Sequence, residues 1–454
     1  MSERKKLYIK TYGCQMNVYD TARMKDVLAP LGYAAADTPA DADLVVLNTC
    51  HIREKAAEKV YSDLGRLRAH ARTKAEAGGR MVVAVAGCVA QAEGEALKTR
   101  APLVDIVLGP QTYHRLPEMV ARSLRQSGVV LDTEFPAEAK FDFLPPPGAE
   151  GPSAFLAIQE GCDRFCTYCV VPYTRGAEYA RPAAQVIAEA RQLAATGARE
   201  LMLLGQNVNA WVGEAPDGGT WSFGRLLREL AGIDGIARLR YTTSHPTSVT
   251  PDLIAAHRDV PALVPFLSLP LQSGADRVLK AMNRGHTVAE YLATFDALRA
   301  VQPGLMLSSD FIVGFPGETE AEFQATLDVV ERVGFVQSFA FKFSARPGTP
   351  AALLSGRIAP EIVDERLARL QAALVESQSR FNHGCVGTVV PVLFDRVGRY
   401  QGQLIGRSPT MQAVHAEVPA DALGTVRAVR IVGVGPNSLA GVVETGDQER
   451  EAAE

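Results

Sequence analysis

Residues 154–170 read AFLAIQEGCDRFCTYCV. A short apolar run, Phe155 to Gln159, closes on Gly161, and Cys162, Cys166 and Cys169 follow at CxxxCxxC spacing. The run has the length and composition of a strand, so the cysteines fall in the loop at its carboxyl end. Three thiolates at this spacing can hold three irons of a 4Fe-4S cluster and leave the fourth iron open to another ligand. Zinc is the competing metal, but structural zinc sites take four closed ligands and no further His or Cys lies nearby. Three inert thiols are the weaker reading, because free Cys is often buried but rarely clusters in a loop.

Downstream of the cysteines, to about Ser379, strand-like runs alternate with helix-length segments: ELMLLG, RLRYTT, PFLSLPL, LMLSSDFIV and VQSFAFKF. With the opening run Phe155 to Gln159 these make six βα units, which fit a partial barrel better than an open sheet. Upstream, LYIKTYG, DLVVLNT, MVVAVAG and DIVLG alternate with amphipathic stretches from Lys5 to about Arg125, the pattern of a parallel sheet covered by helices. Cys14, Cys50 and Cys88 each lie just past the carboxyl end of one of the first three of these runs. That edge is where open α/β sheets bind ligands, so the topology predicts that the three converge.

Between the two regions, residues 126–152 carry Pro136, Pro145, Pro146, Pro147 and Pro152 with little periodicity, which reads as a stiff linker. Residues 380–443 switch to short strand-like runs, GTVVPVLF, GQLIGR, MQAVHAEV, GTVRAVRIVGV and LAGVV, broken by Gly and Pro. About five short strands in so few residues predict a small OB-like β-barrel, a fold often used on nucleic acid. The expected domains are therefore 5–125, a linker 126–152, 153–379 and 380–443, with 444–454 as an acidic disordered tail. At roughly 150 residues per domain, a chain of 454 residues also suggests about three.

Hydrophobic residues at 47% and charged residues at 22% exclude collagen-like, coiled-coil and disordered classes. The net charge of -4 argues mildly against a nucleic-acid partner, until it is noticed that Glu444 to Glu454 alone carry -4 and the remainder sums to zero. Seven cysteines, an odd number, argue against a complete disulfide framework. The basic start MSERKKLYIK leads into no apolar run, and no run reaches the ~18 residues that span a bilayer, so a cytoplasmic location is expected.

CxxxCxxC after the first strand of a βα barrel resembles the radical S-adenosylmethionine superfamily. More closely, TYGCQMN (11–17), NTCHIREKAAEKV (48–60), GCVAQAEG (87–94), GCDRFCTYCVVPYTRG (161–176), LLGQNVNA (203–210), TSHP (243–246), LPLQSG (269–274), DFIVGFPGET (310–319) and FSARPGTPAA (343–352) are similar to the MiaB family of tRNA-2-methylthio-N(6)-dimethylallyladenosine synthases. The likeness runs over nearly the whole chain and includes that family's order of a methylthiotransferase domain, a radical domain and a C-terminal TRAM domain.

The resemblance implies two 4Fe-4S clusters, one on Cys162, Cys166 and Cys169 and an auxiliary one on Cys14, Cys50 and Cys88, with Cys385 a spare thiol. It implies S-adenosylmethionine near Gly205, Gln206, Asn207, Ser244, His245, Gln272, Gly314 and Glu318. From residue type alone, Gly205 to Asn207 equally suit a capped turn, Glu318 a helix start, and His245 and His286 structural hydrogen bonding. Arg175, Arg396, Arg399, Arg407, Arg427 and Arg430 are candidate RNA contacts, with Tyr400 and His415 as stacking groups. Residues 51–80, with eight Lys or Arg against four acids, are a second basic stretch that equally suits a solvated helix face. GRSPTMQAVHAE (406–417) departs from the Arg- and Asn-bearing strand common in the family, and Asp163 stands where the family has Asn.

The implied reaction adds a methylthio group to carbon 2 of dimethylallylated adenine at position 37 of tRNA, in the anticodon stem-loop. One S-adenosylmethionine would be cleaved reductively to a 5'-deoxyadenosyl radical, and a second would methylate a sulfur on the auxiliary cluster. A flavodoxin- or ferredoxin-like donor and a monomeric enzyme are expected. The competing substrates are threonylcarbamoyladenosine in tRNA and an aspartate of a ribosomal protein; the competing class is a non-catalytic iron-sulfur protein that binds RNA and senses redox state.

Overall fold

The computed structural model describes residues 5–51 and 56–444, and the side chains of residues 56 and 57 are left out of the account. The expected acidic tail falls on residues outside the description, apart from Glu444. The chain forms two compact units, one from Met1–Pro147 with Glu160–Asp163 and Val170–Glu178, the other from Gly148–Gln159, Arg164–Cys169 and Tyr179–Glu454.

The first unit is a six-stranded parallel sheet, β1 (Lys5–Thr11), β2 (Tyr33–Ala35), β3 (Leu44–Thr49), β4 (Val82–Gly87), β5 (Ile106–Leu108) and β6 (Val130–Asp132), in the order β2-β1-β3-β4-β5-β6. β3 and β4 are buried along their whole length, as the continuous apolar runs LVVLNT and VVAVAG require of strands covered on both faces. Helix α1 (Gln15–Leu28) brings Met24, Val27 and Leu28 to one face, and α2 (Ala56–Glu76) brings Val60, Leu64 and Leu67 to the other. β2 and β6 are not in the sequence reading. Each is three residues long, too short to carry an alternation, and β6 corrects the view of residues 126–152 as a linker because it pairs with β5 along Ile106↔Val130 to Leu108↔Asp132.

In the second unit, strands Ser153–Ala157, Glu200–Leu204 and Arg238–Tyr241 form a parallel sheet, Phe266–Ser268 pairs parallel with Met306–Ser308, and Asp310–Val313 with Phe339–Lys342. Bridges Leu239↔Leu263 and Gln272↔Phe311 join these pieces in chain order. The result is the predicted partial barrel, with Leu201, Leu203, Leu239, Phe311 and Trp211 in its apolar core. The helix Pro360–Gly384 then leads to a closed five-stranded barrel of Val389–Val397, Gln403–Arg407, Ala413–Glu417, Val426–Val434 and Leu439–Val443. Its interior holds Val392, Phe394, Leu404, Val414 and Ile431.

Two strand arginines tie this barrel to the larger one. Arg240 donates to the carbonyls of Pro409 (2.5 Å) and Ser408 (2.7 Å), and Arg238 to those of Arg407 (2.8 Å) and Pro391 (2.5 Å). Glu200 accepts from Arg240 Nε at 2.7 Å and from Ser153 Oγ at 3.0 Å, so the buried guanidinium is both hydrogen-bonded and paired.

Candidate functional site

Strand register assembles the first group of cysteines. Thr11 faces Asn48 across β1 and β3, and Thr49 faces Gly87 across β3 and β4. The next residues of β3 and β4 are Cys50 and Cys88. Gly13 folds the end of β1 onto the same edge: its φ is +96°, and a Cβ there would stand 2.2 Å from Cys50 Cβ and 2.6 Å from Cys50 Sγ. Glycine alone fits such an approach. Cys14 then caps α1 and Cys88 opens a short helix, Cys88–Glu93.

A hydrogen bond with Cys50 and the field of Arg175 bring the Cys14 thiol down to about 6, against the effect of burial. Burial pushes the Cys88 thiol up, with Arg175 pulling the other way.

Arg175 ends the segment Val171–Arg175 and is 3% exposed. Its Nη1 donates to Glu160 Oε1 at 2.9 Å and its Nη2 to Asp20 Oδ2 at 2.6 Å and Asn17 Oδ1 at 3.2 Å. Lys140, also buried, donates to Glu160 Oε1 at 2.6 Å and to the Pro110 carbonyl at 2.9 Å. This corrects the expectation that Arg175 touches RNA: two carboxylates distant in sequence hold its guanidinium inside the unit, beside the cysteines.

The second group lies on the loop after strand Ser153–Ala157. Its middle and last cysteines are joined by a hydrogen bond from Cys169 N to the Cys166 carbonyl at 2.9 Å. The loop is clamped by the chain after helix Asp276–Ala281: Thr167 donates through N to Met282 O and through Oγ1 to Ala281 O, and Asn283 donates to the Phe165 carbonyl at 3.0 Å. Buried Arg284 donates to Cys166 Sγ at 3.6 Å and to Pro270 O at 2.6 Å. Burial also raises the Asp310 carboxyl to about 6, with Arg284 opposing.

Around this loop the expected cofactor residues divide. Gln206 N and Asn207 N both donate to Gln159 Oε1, at 2.8 and 3.0 Å, and a Cβ on Gly205 would sit 2.4 Å from the same oxygen. Gln159, the last residue of the opening apolar run, therefore shapes that turn. Asn209 clamps His245 through both amide ends, accepting from its N (2.8 Å) and donating to its O (2.9 Å). His245 Nδ1 accepts from Thr247 N, which assigns its ring proton to Nε2. Burial and the nearby cations Arg284 and Arg164 push His245 down to about 2, so the ring is neutral.

His286 lies edge-on to His245 with centroids 5.8 Å apart, and burial lowers it to about 4. The buried Ser244 Oγ, His245 Nε2, His286 Nε2 and Arg284 Nε have no hydrogen-bond partner among the described residues. Gln272 holds a positive φ of +77° at the bridge to Phe311, and its N donates to Asp310 O. Glu318 is instead used within the fold. It accepts from Gly314 N at 2.9 Å and from Arg366 Nη1 at 3.0 Å, and the space where Gly314 would carry a side chain is filled by Val363.

Among the described residues no three His, Cys, Asp or Glu side chains are grouped as ligands of one metal ion. The donor sets suit an iron-sulfur cluster: three thiols on one sheet edge beside a cation, and three on a clamped loop whose neighbourhood holds unpartnered polar atoms.

In the small barrel, Arg396 pairs with Asp395 (3.1 Å), Arg430 with Glu444 (2.6 Å), and Arg407 donates to Met411 O (3.1 Å). Arg399 and Arg427 have no carboxylate partner among the described residues; Tyr400 is 67% exposed, and His415 bonds Ser438 Oγ. In the stretch 51–80, Arg66, Arg72, Lys74 and Arg80 pair with Asp63, Glu76, Asp43 and Asp105. Arg53, Glu54 and Lys55 lie outside the described residues. No helix among the described residues is long and apolar enough to cross a membrane.

Two family profiles match the chain: uncharacterized protein family UPF0004 over residues 6–109 and the radical SAM superfamily over residues 156–330. The latter implies S-adenosylmethionine and a 4Fe-4S cluster. Among solved structures, the chain is similar to the radical S-adenosylmethionine methyltransferase TsrM from Kitasatospora setae, at 15% identity and TM-score 0.56, covering 77% of this chain and 75% of that one. It is also similar to the cobalamin-dependent S-adenosylmethionine radical enzyme OxsB, at 14% identity and TM-score 0.52, covering 82% of this chain and 56% of that one. The chain thus spans about half the length of OxsB, and at these identities both likenesses speak for the fold alone. The tRNA-2-methylthio-N(6)-dimethylallyladenosine synthase of Maricaulis maris (strain MCS10) is 57% identical over 443 residues, which are 96% of this chain and 97% of that protein. With the two cysteine groups at the loop and sheet edge described above, this likeness means that the chain belongs to the tRNA-2-methylthio-N(6)-dimethylallyladenosine synthase family of radical S-adenosylmethionine proteins.

Proposed function

We propose that this protein is a tRNA methylthiotransferase acting on carbon 2 of N(6)-dimethylallyladenosine at position 37. The observation that carries the reading is the 57% identity with the Maricaulis maris enzyme over 96% of the chain. When bound, a 4Fe-4S cluster and S-adenosylmethionine supply the one-electron chemistry that an unactivated aromatic C-H needs, since it has no usefully acidic proton.

In this reading Cys162, Cys166 and Cys169 hold the cluster of the central barrel, and Cys14, Cys50 and Cys88 hold a second one. Ser244, His245 and the turn Gly205–Asn207 bind the polar end of S-adenosylmethionine, with Gln272 beside them. The neutral His245 offers Nε2-H as a fixed donor, which positions a ligand but does not take its proton. Gly314 and Glu318 shape the neighbouring wall, Glu318 through Arg366. The last domain, 380–443, is a TRAM module in which Arg396, Arg399, Arg407, Arg427 and Arg430 line the RNA side. The unstacked anticodon loop makes its purine cheaper to extrude than one in a duplex. A cytoplasmic monomer served by a flavodoxin- or ferredoxin-like donor completes the reading.

Two variants test it. Cys14→Ala should keep reductive cleavage of S-adenosylmethionine and lose thiolation, whereas Cys166→Ala should lose both. Mass spectrometry of tRNA digests from cells with and without the gene reads the product; an unchanged 2-methylthio nucleoside would remove the tRNA assignment.

A further inference from the structure

We propose that Arg175 is a positioning residue of the Cys14, Cys50 and Cys88 site, a cation fixed beside the sulfurs that governs how much negative charge a cluster held there carries. The inference rests on the reading that these thiolates hold an iron-sulfur cluster.

Arg175 is held from two sides. Glu160 takes Nη1, and Asp20 and Asn17 take Nη2, with all four residues buried. A planar guanidinium gripped in this way cannot swing, whereas a lysine would place a compact point charge on a flexible stem there. The group lies beside the cysteines: Arg175 Nη2 and Cys14 Sγ donate to the same oxygen, Asn17 Oδ1, at 3.2 and 3.6 Å, and the field of Arg175 opposes the effect of burial at Cys88.

Stability alone does not explain the arrangement. A buried ion-pair network of Arg175, Lys140, Asp20 and Glu160 is weak evidence for stability, since well-packed apolar side chains of similar volume serve as well. The two carboxylates and two cations balance overall, and Arg175 is the cation of the network that shares the acceptor Asn17 Oδ1 with Cys14, so its positive charge is felt there first. Hydrogen bonds to cluster sulfurs and local charge are the levers by which a protein sets a cluster's potential. Arg175 applies the second, and a fixed positive charge beside the cysteines favours the more negative, reduced cluster, so it should make the cluster easier to reduce.

The test uses the full chain with Cys162, Cys166 and Cys169 changed to Ala, reconstituted anaerobically with iron and sulfide so that only the other site can load. Removing Arg175 alone strands Asp20 and Glu160, so the charge-balanced double variant Asp20→Asn/Arg175→Gln is compared with the parent, with Asp20→Asn as the control that keeps Arg175 and Arg175→Lys as the conservative variant. Iron per chain, circular dichroism and the midpoint potential from an EPR-monitored titration are measured. The expected result is a more negative potential in the double variant than in the parent, with Arg175→Lys between them; loss of iron from a folded double variant, with Asp20→Asn still loaded, has the same meaning. Equal potentials and equal iron in all loaded proteins would overturn the role of Arg175. A parent without iron would instead overturn the reading of the three cysteines on which it rests.

Discussion

Replacing Gly13 with alanine isolates the geometry that brings Cys14 and Cys50 together. Gly13 has φ +96°, and an added Cβ would stand 2.2 Å from Cys50 Cβ and 2.6 Å from its sulfur, far inside contact distance. Two costs follow. A left-handed backbone at a residue with a Cβ costs roughly 1–2 kcal/mol, and the overlap must be relieved by moving β1's end or Cys50, both fixed by the sheet. Gly32 separates the two costs: its φ is +81°, and nothing lies within 4 Å of an added Cβ. Gly32→Ala should therefore lose about 1 kcal/mol of stability and keep its full iron. If Cys14, Cys50 and Cys88 hold the second cluster proposed above, Gly13→Ala should lose that amount and that cluster as well, so that iron per chain falls from about eight to about four. Iron assay and denaturant unfolding on both variants provide the check, with 5'-deoxyadenosine formation as the control for the central cluster. Full iron in a folded Gly13→Ala would refute the claim that this close approach sets the site.

Glu200→Gln should destabilise the central unit by about 3–5 kcal/mol, because Arg240 is left as a buried unpaired charge; urea unfolding followed by tryptophan fluorescence measures it, since Trp211 and Trp221 both lie in that unit, and a loss below 1 kcal/mol would refute the pairing. His257, buried against Tyr241 and Gln302, is held down to about 4 by burial. Its folded value lies below its unfolded one, so the unfolded chain binds the proton first and stability falls as pH drops from about 6.5 toward 4. Between pH 7.5 and 5 this contributes a loss of about 2 kcal/mol, and His257→Asn should lessen the drop by that amount; an unchanged pH dependence would exclude it. Arg399→Ala/Arg427→Ala should weaken tRNA binding and reduce the salt slope by about two, one per phosphate contact, in a filter-binding titration, while an unchanged slope would place the RNA elsewhere.

The features that sequence makes legible are those with strong local causes. LVVLNT and VVAVAG are apolar throughout because both faces of their strands are covered, and their cysteines are readable as neighbours because parallel strands end on a common edge. Tyr33–Ala35 and Val130–Asp132 are strands only through their partners: three residues cannot show a period, and the second sits in a segment whose prolines suggest a linker. Arg175 illustrates the same limit for charge. In VPYTRG it looks like one more solvated cation after a cysteine loop, and only Asp20 and Glu160, 155 and 15 residues away in sequence, turn it inward. Arg238 and Arg240 in RLRY read as the polar side of a half-buried strand, yet Glu200 and the backbone carbonyls of the small barrel bury them. In each case the burial of a charge is decided by a partner that no local window contains. The same holds for the basic stretch 51–80, where four cations are spent on carboxylates of this chain before any phosphate is considered. A count of Lys and Arg therefore overstates what is left for a polyanion, and the test of the RNA side proposed above rests on arginines such as Arg399 and Arg427, which have no carboxylate partner among the described residues.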